Sequence, residues 1–76
     1  MQEKRPFNLL NEMLNKEVVI AIKGDRAFKA KLISYDIHMN LEVHNVRPMK
    51  EDGSFSGEAI SKMLIRGDSI VYIYME

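Results

Sequence analysis

From residue 17 onward the apolar side chains recur at every second position, and that period commits most of this chain to β structure. Val18, Ile20 and Ile22 share one face of a first strand, with Glu17, Val19, Ala21 and Lys23 on the other, and Gly24 with Asp25 supplies a turn. Alternation resumes over residues 26–35, where Phe28, Ala30 and Leu32 face inward against Lys29, Lys31 and Ile33; a sharp bend is easiest at Ala30. A third strand is expected over 40–46, with Leu41 and Val43 inward and Glu42 and His44 outward. Residues 58–66 read as a fourth strand with a polar middle at Ser61 and Lys62, and 69–75 as a fifth. Between them, residues 47–57 carry Pro48, Asp52, Gly53, Ser54, Ser56 and Gly57, the chemistry of a loop of variable length. The expected class is mainly β and antiparallel, the first three strands forming a meander.

Ahead of the strands the period is helical. Over residues 6–15, Phe7, Leu10 and Leu14 are spaced by three and four with Met13 beside them; Pro6 suits a first turn and Asn15 a C-terminal stop. A helix this short is marginal alone, so its apolar stripe is expected to lie on the open end of the sheet.

A chain of 76 residues makes one domain, 1–76, and buries only about 60–65% of its unfolded surface, so its core is thin. Without cysteine it has no disulfide or thiolate metal site to compensate, which leaves oligomerisation. The last segment, residues 70–75, is apolar on both faces and would be a sticky edge unless covered. A neighbouring subunit is the expected cover, with the fourth and fifth strands of adjacent subunits pairing around a ring; the alternative is closure of that edge onto the first strand. Eleven basic residues balance eleven acidic ones, which argues against a diffuse basic field for duplex DNA while leaving room for a local site on a single strand. No apolar run approaches the 18 residues of a membrane span and no signal-peptide core follows Met1, so a soluble, cytoplasmic protein is expected, with no membrane partner.

Residues 35–41 interrupt the alternation with groups able to hydrogen-bond and stack, and residues 65–68 bring a second such cluster. Asp36 reads as a turn residue bonding its own backbone. His38 and Asn40, with Arg66, Gly67 and Asp68 from the other end of the chain, read as one site. Arg66 has a plain ion pair with Asp68 as its alternative, and Gly67 permits close backbone approach to a ligand. Met39 reads as a core or interface filler, Tyr72 and Tyr74 as interface packing, and His44 as solvated. No nucleophile turn or phosphate-cradling loop is present, and an acid–base pair of Asp36 and His38 is the best enzymatic case, so the chain is read as no enzyme. Two histidines among scattered carboxylates lack metal-ligand spacing, and neither cofactor nor metal is expected.

The two clusters together, with the short helix and the five-strand pattern, resemble the Sm and Sm-like RNA-binding family, particularly its archaeal members. Tyr35-Asp36-Ile37-His38-Met39-Asn40 falls in a first family motif over about 17–46, and Ile65-Arg66-Gly67-Asp68 in a second over about 63–74, with the variable loop between. The bacterial host-factor branch carries a Lys-His pair in the second motif, which this sequence lacks. The resemblance implies a strongly bent five-stranded antiparallel barrel of SH3-like shape behind an N-terminal helix, assembled into rings of six or seven, seven being favoured. It implies a pore-lining pocket on each subunit for one unpaired base, usually uracil. His38 and Arg66 would stack on the two faces, Asn40 would read the edge, and Asp68 would hold the Arg66 and Asn40 side chains. A second contact surface near the helix would use Arg5 and Tyr35; the alternative is that Tyr35 packs under the helix and Arg5 is solvated. Ala30 departs from the pattern, standing where many relatives have a glycine that bends strand two.

The physics of such a pocket holds without the family. Imidazole and guanidinium planes stack on a base for about 1–3 kcal/mol. An asparagine amide offers one donor and one acceptor to the adjacent acceptor and donor of uracil. The expected function is non-catalytic binding of uridine-rich single-stranded RNA by a homo-oligomeric ring, in RNA processing or ribonucleoprotein assembly. The alternative is a ring-shaped scaffold working through protein contacts.

Overall fold

The computed structural model describes residues 6–76, apart from the side chains of Pro6 and Phe7. In chain order it has a helix α1 (Pro6–Met13), strands β1 (Glu17–Ile22), β2 (Arg26–Tyr35), β3 (Leu41–Met49) and β4 (Ile60–Ile65), a 3-10 turn (Gly67–Ser69) and β5 (Ile70–Met75). The strands form one antiparallel sheet in the order β4-β3-β2-β1-β5, which bears out the expected class.

Alternation builds the core. Val18, Ile20, Phe28, Ala30, Leu32, Leu41, Val43, Val46 and Ile65 are buried together on the inner face, and each large aliphatic among them contributes about 1.5–3 kcal/mol. Leu10 and Met13 of α1 close one end, with Leu14 half-buried beside them. The helix stops at Met13 because Asn15 takes a left-handed conformation (φ 65°), and the chain is then stitched to β2. The Asn15 N–H donates to the Leu32 carbonyl at 2.6 Å and the Leu32 N–H to the Lys16 carbonyl at 3.1 Å. These two bonds fix the helix over the sheet.

The bend expected at Ala30 is made largely by its partner strand. Lys29 pairs with Arg47 but Lys31 with His44, so β3 carries one extra residue opposite Ala30, and Asn45 takes up the slack at φ 55°. Two positions on, the pairing steps from Leu32 opposite Val43 to Ser34 opposite Glu42, which puts a compensating extra residue, Ile33, on β2. Asparagine tolerates the left-handed region well, so an alanine in β2 is compatible with the curvature.

Two expectations are corrected. β3 runs to Met49 rather than ending at Val46, so the loop begins at Lys50; Pro48 fits in the strand because β4 has already left that side of β3. The segment beyond is a small hairpin, with Met49 bridged to Phe55 and the Lys50 N–H donating to the Ser54 carbonyl at 2.7 Å. β4 is likewise shorter than 58–66, spanning Ile60–Ile65.

The last strand pairs with β1 inside the chain, the arrangement held above as the alternative. That pairing leaves the other edge of β5 open, so the sheet ends on β4 at one side and β5 at the other. Ile70, Ile73 and Met75 pack on the core, while Tyr72 and Tyr74 stack on the outer face with ring centroids 6.1 Å apart. Across from them in register, Ala21 and Val19 of β1 are buried too, so β1 is covered on both faces. Leu64, Val71 and Tyr72, all on the two edge strands, stay more than half exposed.

Candidate nucleic-acid interface

Two corners converge at one end of the sheet: residues 36–40, between β2 and β3, and residues 66–69, between β4 and β5. The first corner is shaped by Asp36. Its Oδ1 accepts the backbone N–H groups of His38 (2.9 Å) and Asn40 (3.0 Å), and its Oδ2 accepts from Asn40 Nδ2 at 3.0 Å. Backbone bonds close the turn, from Met39 N–H to the Asp36 carbonyl at 3.0 Å and from Asp36 N–H to the Asn40 carbonyl at 3.1 Å. Met39 takes φ 65° and packs its side chain on the core, which ties the loop to the barrel. Donation by the Asn40 side chain, then by the Asn40 and His38 backbones, holds the Asp36 carboxyl below the ordinary aspartate value. Asp36 is the turn residue expected from the sequence.

The second corner meets the first through Gly67. A Cβ on Gly67 would overlap the backbone carbonyl of His38, so only glycine fits. The expectation that Gly67 leaves room for a ligand is corrected: the backbone that comes close belongs to the opposite loop. That approach lets the Gly67 N–H donate to Asn40 Oδ1 at 2.9 Å.

Asn40 is therefore held at both ends, by the Asp36 carboxylate on its nitrogen and the Gly67 amide on its oxygen. The amide cannot flip without losing both bonds, and it keeps one free N–H and one free lone pair. Asp68, expected to hold Asn40, does not do so; it lies 3.6 Å from Arg66 Nη2, with both side chains more than two-thirds exposed. An exposed pair at that distance contributes little to stability, so Arg66 keeps its freedom. His38 and Arg66, each exposed, flank the point where the loops touch, and Ile37 at the tip is 80% exposed.

The hold on Asn40 by Asp36 and the Gly67 backbone is a feature of the structure that the sequence reading does not contain. The four-residue separation of Asp36 and Asn40 across a tight turn was the available signal for half of it; the Gly67 contact had none. The remaining expectations lie elsewhere. The Tyr35 hydroxyl donates to Asn11 Oδ1 of α1 at 3.2 Å, as packing beneath the helix requires, and Arg5 is outside the described residues. His44 is only half-exposed, its Nε2 2.9 Å from Glu42 Oε2, and this bond with that from Ser34 lowers the Glu42 pKa. Among the described residues no group of three His, Cys, Asp or Glu side chains is placed to hold a metal ion, and no helix is long and apolar enough to cross a membrane.

Two loop corners of a helix-capped, five-strand antiparallel sheet hold the Asn40 amide between the Asp36 carboxylate and the Gly67 N–H, and the fold is that of the Sm-like class. The LSM domain model matches residues 8–75, and the chain belongs to that family. It is 42% identical over 72 residues to an snRNP Sm-like protein of Methanosarcina barkeri, covering 91% of this chain and 93% of the relative. An Sm-like protein of Archaeoglobus fulgidus is 36% identical over 72 residues, covering 91% and 87%. Among solved structures, the Sm protein of Pyrococcus abyssi in complex with a uridine heptamer superposes with a TM-score of 0.83 at 30% identity, over 92% of this chain and 96% of that one. The Sm-like protein of Methanococcus vannielii superposes at 0.81 with 27% identity, over 99% and 100%.

Proposed function

We propose that this chain binds uridine-rich single-stranded RNA without catalysis, one nucleotide per subunit, in a homo-oligomeric ring acting in the cytoplasm in RNA processing or ribonucleoprotein assembly. The observation that carries the reading is the doubly held Asn40 amide. Its free N–H faces O4 of uracil and its free lone pair accepts from N3–H, while cytosine presents the reverse order and needs the flipped amide. His38 and Arg66 stack on the base from its two faces, and Arg66 adds charge toward the phosphate.

The uridine ligand of the Pyrococcus abyssi relative supports the choice of base, and its length of seven suits a ring of seven one-base pockets. The open edges of β4 and β5 supply the assembly, since pairing them around a ring covers Leu64 and Val71 and removes both edges. Linking several weak pockets on one strand raises the effective concentration at each following pocket and turns them into a tight site.

Titration of labelled oligouridine and oligoadenine tests the reading. Preference for oligouridine, lost in Asn40→Ala and Arg66→Ala, is expected; equal and negligible binding of both oligomers overturns it. Native mass spectrometry tests the ring, and a stable monomer at micromolar concentration contradicts it.

A further inference from the structure

An open cleft of 410 Å3 lies between the β1–β2 turn and the β3–β4 hairpin. The turn contributes Asp25 and Arg26, the hairpin Lys50 and Glu51, and Tyr72 of β5, 55% exposed as a residue, lines the cleft as well. The floor is apolar, with Ala27 and Met49. None of the four charged side chains makes an ion pair or hydrogen bond within the described residues, although the two signs share one cleft. Arg26 lies only against the Phe28 ring, 5.9 Å from its centroid. Both edges of the cleft are held in place: Gly24 and Asp25 sit in the left-handed region, and the hairpin is pinned by Ser54 N–H and Oγ donating to Asp52 at 2.9 and 2.6 Å.

Apolar lining, an exposed phenol ring, unpaired cations and unpaired carboxylates together ask for a ligand that is flat, carries an anion and presents hydrogen-bond donors. A nucleotide has all three. Among the bases only guanine presents two adjacent donors, N1–H and the N2 amine, to the two oxygens of a carboxylate. Adenine, cytosine and uracil each place an acceptor beside their donor, which a carboxylate repels. We propose that this cleft is a second nucleotide site, selective for guanosine, in which Tyr72 stacks on the base, Asp25 or Glu51 reads its donor edge and Arg26 and Lys50 meet the phosphate. Tyr72 stands off the outer face of β5, so in-plane pairing at the strand edge leaves its ring available. The site stands independently of the uridine reading, because it shares no residue with the Asn40 pocket.

The test is a methyl NMR titration of the assembled protein with the four nucleoside monophosphates. Expected are saturable shifts of the Ala27 and Met49 methyls with GMP, at least tenfold tighter than with AMP, CMP or UMP, and a tenfold or greater loss in the double variant D25N/E51Q with oligouridine binding unchanged. Equal shifts with all four nucleotides reduce the cleft to a non-selective anion contact and overturn the proposal. So does GMP acting only at Met39, beside the other pocket. Doubling of the ring in native mass spectra that is abolished by D25N/E51Q would assign the cleft to a second copy of this chain, and also overturns it.

Discussion

The pocket corner and the two edge strands are opposite solutions to exposure. At the corner, Asp36 takes three hydrogen bonds and the Asn40 amide two, from groups of the same chain, so the geometry is complete before any partner arrives. At the edges, Leu64 and Val71 are 70% and 61% exposed and one side of each strand has no partner among the described residues. On the proposed function, the difference teaches that recognition would be pre-organised within one subunit while affinity would wait for assembly. A finished pocket would bind one base weakly, and only an unfinished edge would bring several pockets onto one strand.

The largest effect should come from attacking the edges. Leu64→Glu combined with Val71→Glu puts like charges on both mating strands at positions already in solvent. Circular dichroism should stay native, native mass spectra should shift to monomer, and oligouridine affinity should fall by about a hundredfold or more. A ring that survives both changes breaks the comparison.

Next comes Gly67→Ala. The added methyl cannot coexist with the His38 carbonyl, so the corners separate and Asn40 loses the bond on its oxygen. A destabilisation on the order of 1–3 kcal/mol in denaturant melts is expected, with weakened oligouridine binding in a ring that still forms. Unchanged stability would mean that the corners are not in contact.

Asp36→Asn should act less strongly and more selectively. The replacement keeps the shape but turns one acceptor oxygen into a donor, so the Asn40 amide is left held on its oxygen alone and rotates more easily. Oligocytidine and oligouridine affinities should converge severalfold while the melting temperature barely moves. Persisting discrimination would place base reading elsewhere.

The smallest effect is acid loosening of the corner. Because the Asp36 pKa is lowered in the folded chain, its contribution is fully present above the ordinary aspartate value near 3.9 and is lost as pH falls through the lowered one. Amide exchange at His38 and Asn40 should therefore stay protected down to about pH 4 and increase below it. Protection lost already near neutrality would exclude Asp36 as the cause.

Much of this was legible in residue order because it rests on local rules. Alternation in β2 chose the buried face, Asn15 marked the helix exit and Asp36 was identifiable as a turn former. Less visible were features that need two distant segments in one place. The bend opposite Ala30 sits on Asn45, because a bulge is a property of a strand pair and not of either strand alone. Proline argues against strand, so the end of β3 is hidden in residue order, and only the departure of β4 makes Pro48 harmless.

The sequence by itself determined the period, the turn chemistry and the residue types at both loop corners, since each is a matter of neighbours a few positions apart. Only the tertiary structure decided that Asn40 is gripped by Asp36 and by the Gly67 backbone rather than by Asp68. It also decided that β5 pairs with β1 yet keeps an open edge. The Gly67 contact and the β1–β5 pairing depend on ångström-scale distances between segments 27 or more residues apart, and hydrogen bonds and strand ladders form only when packing brings their partners within about 3 Å.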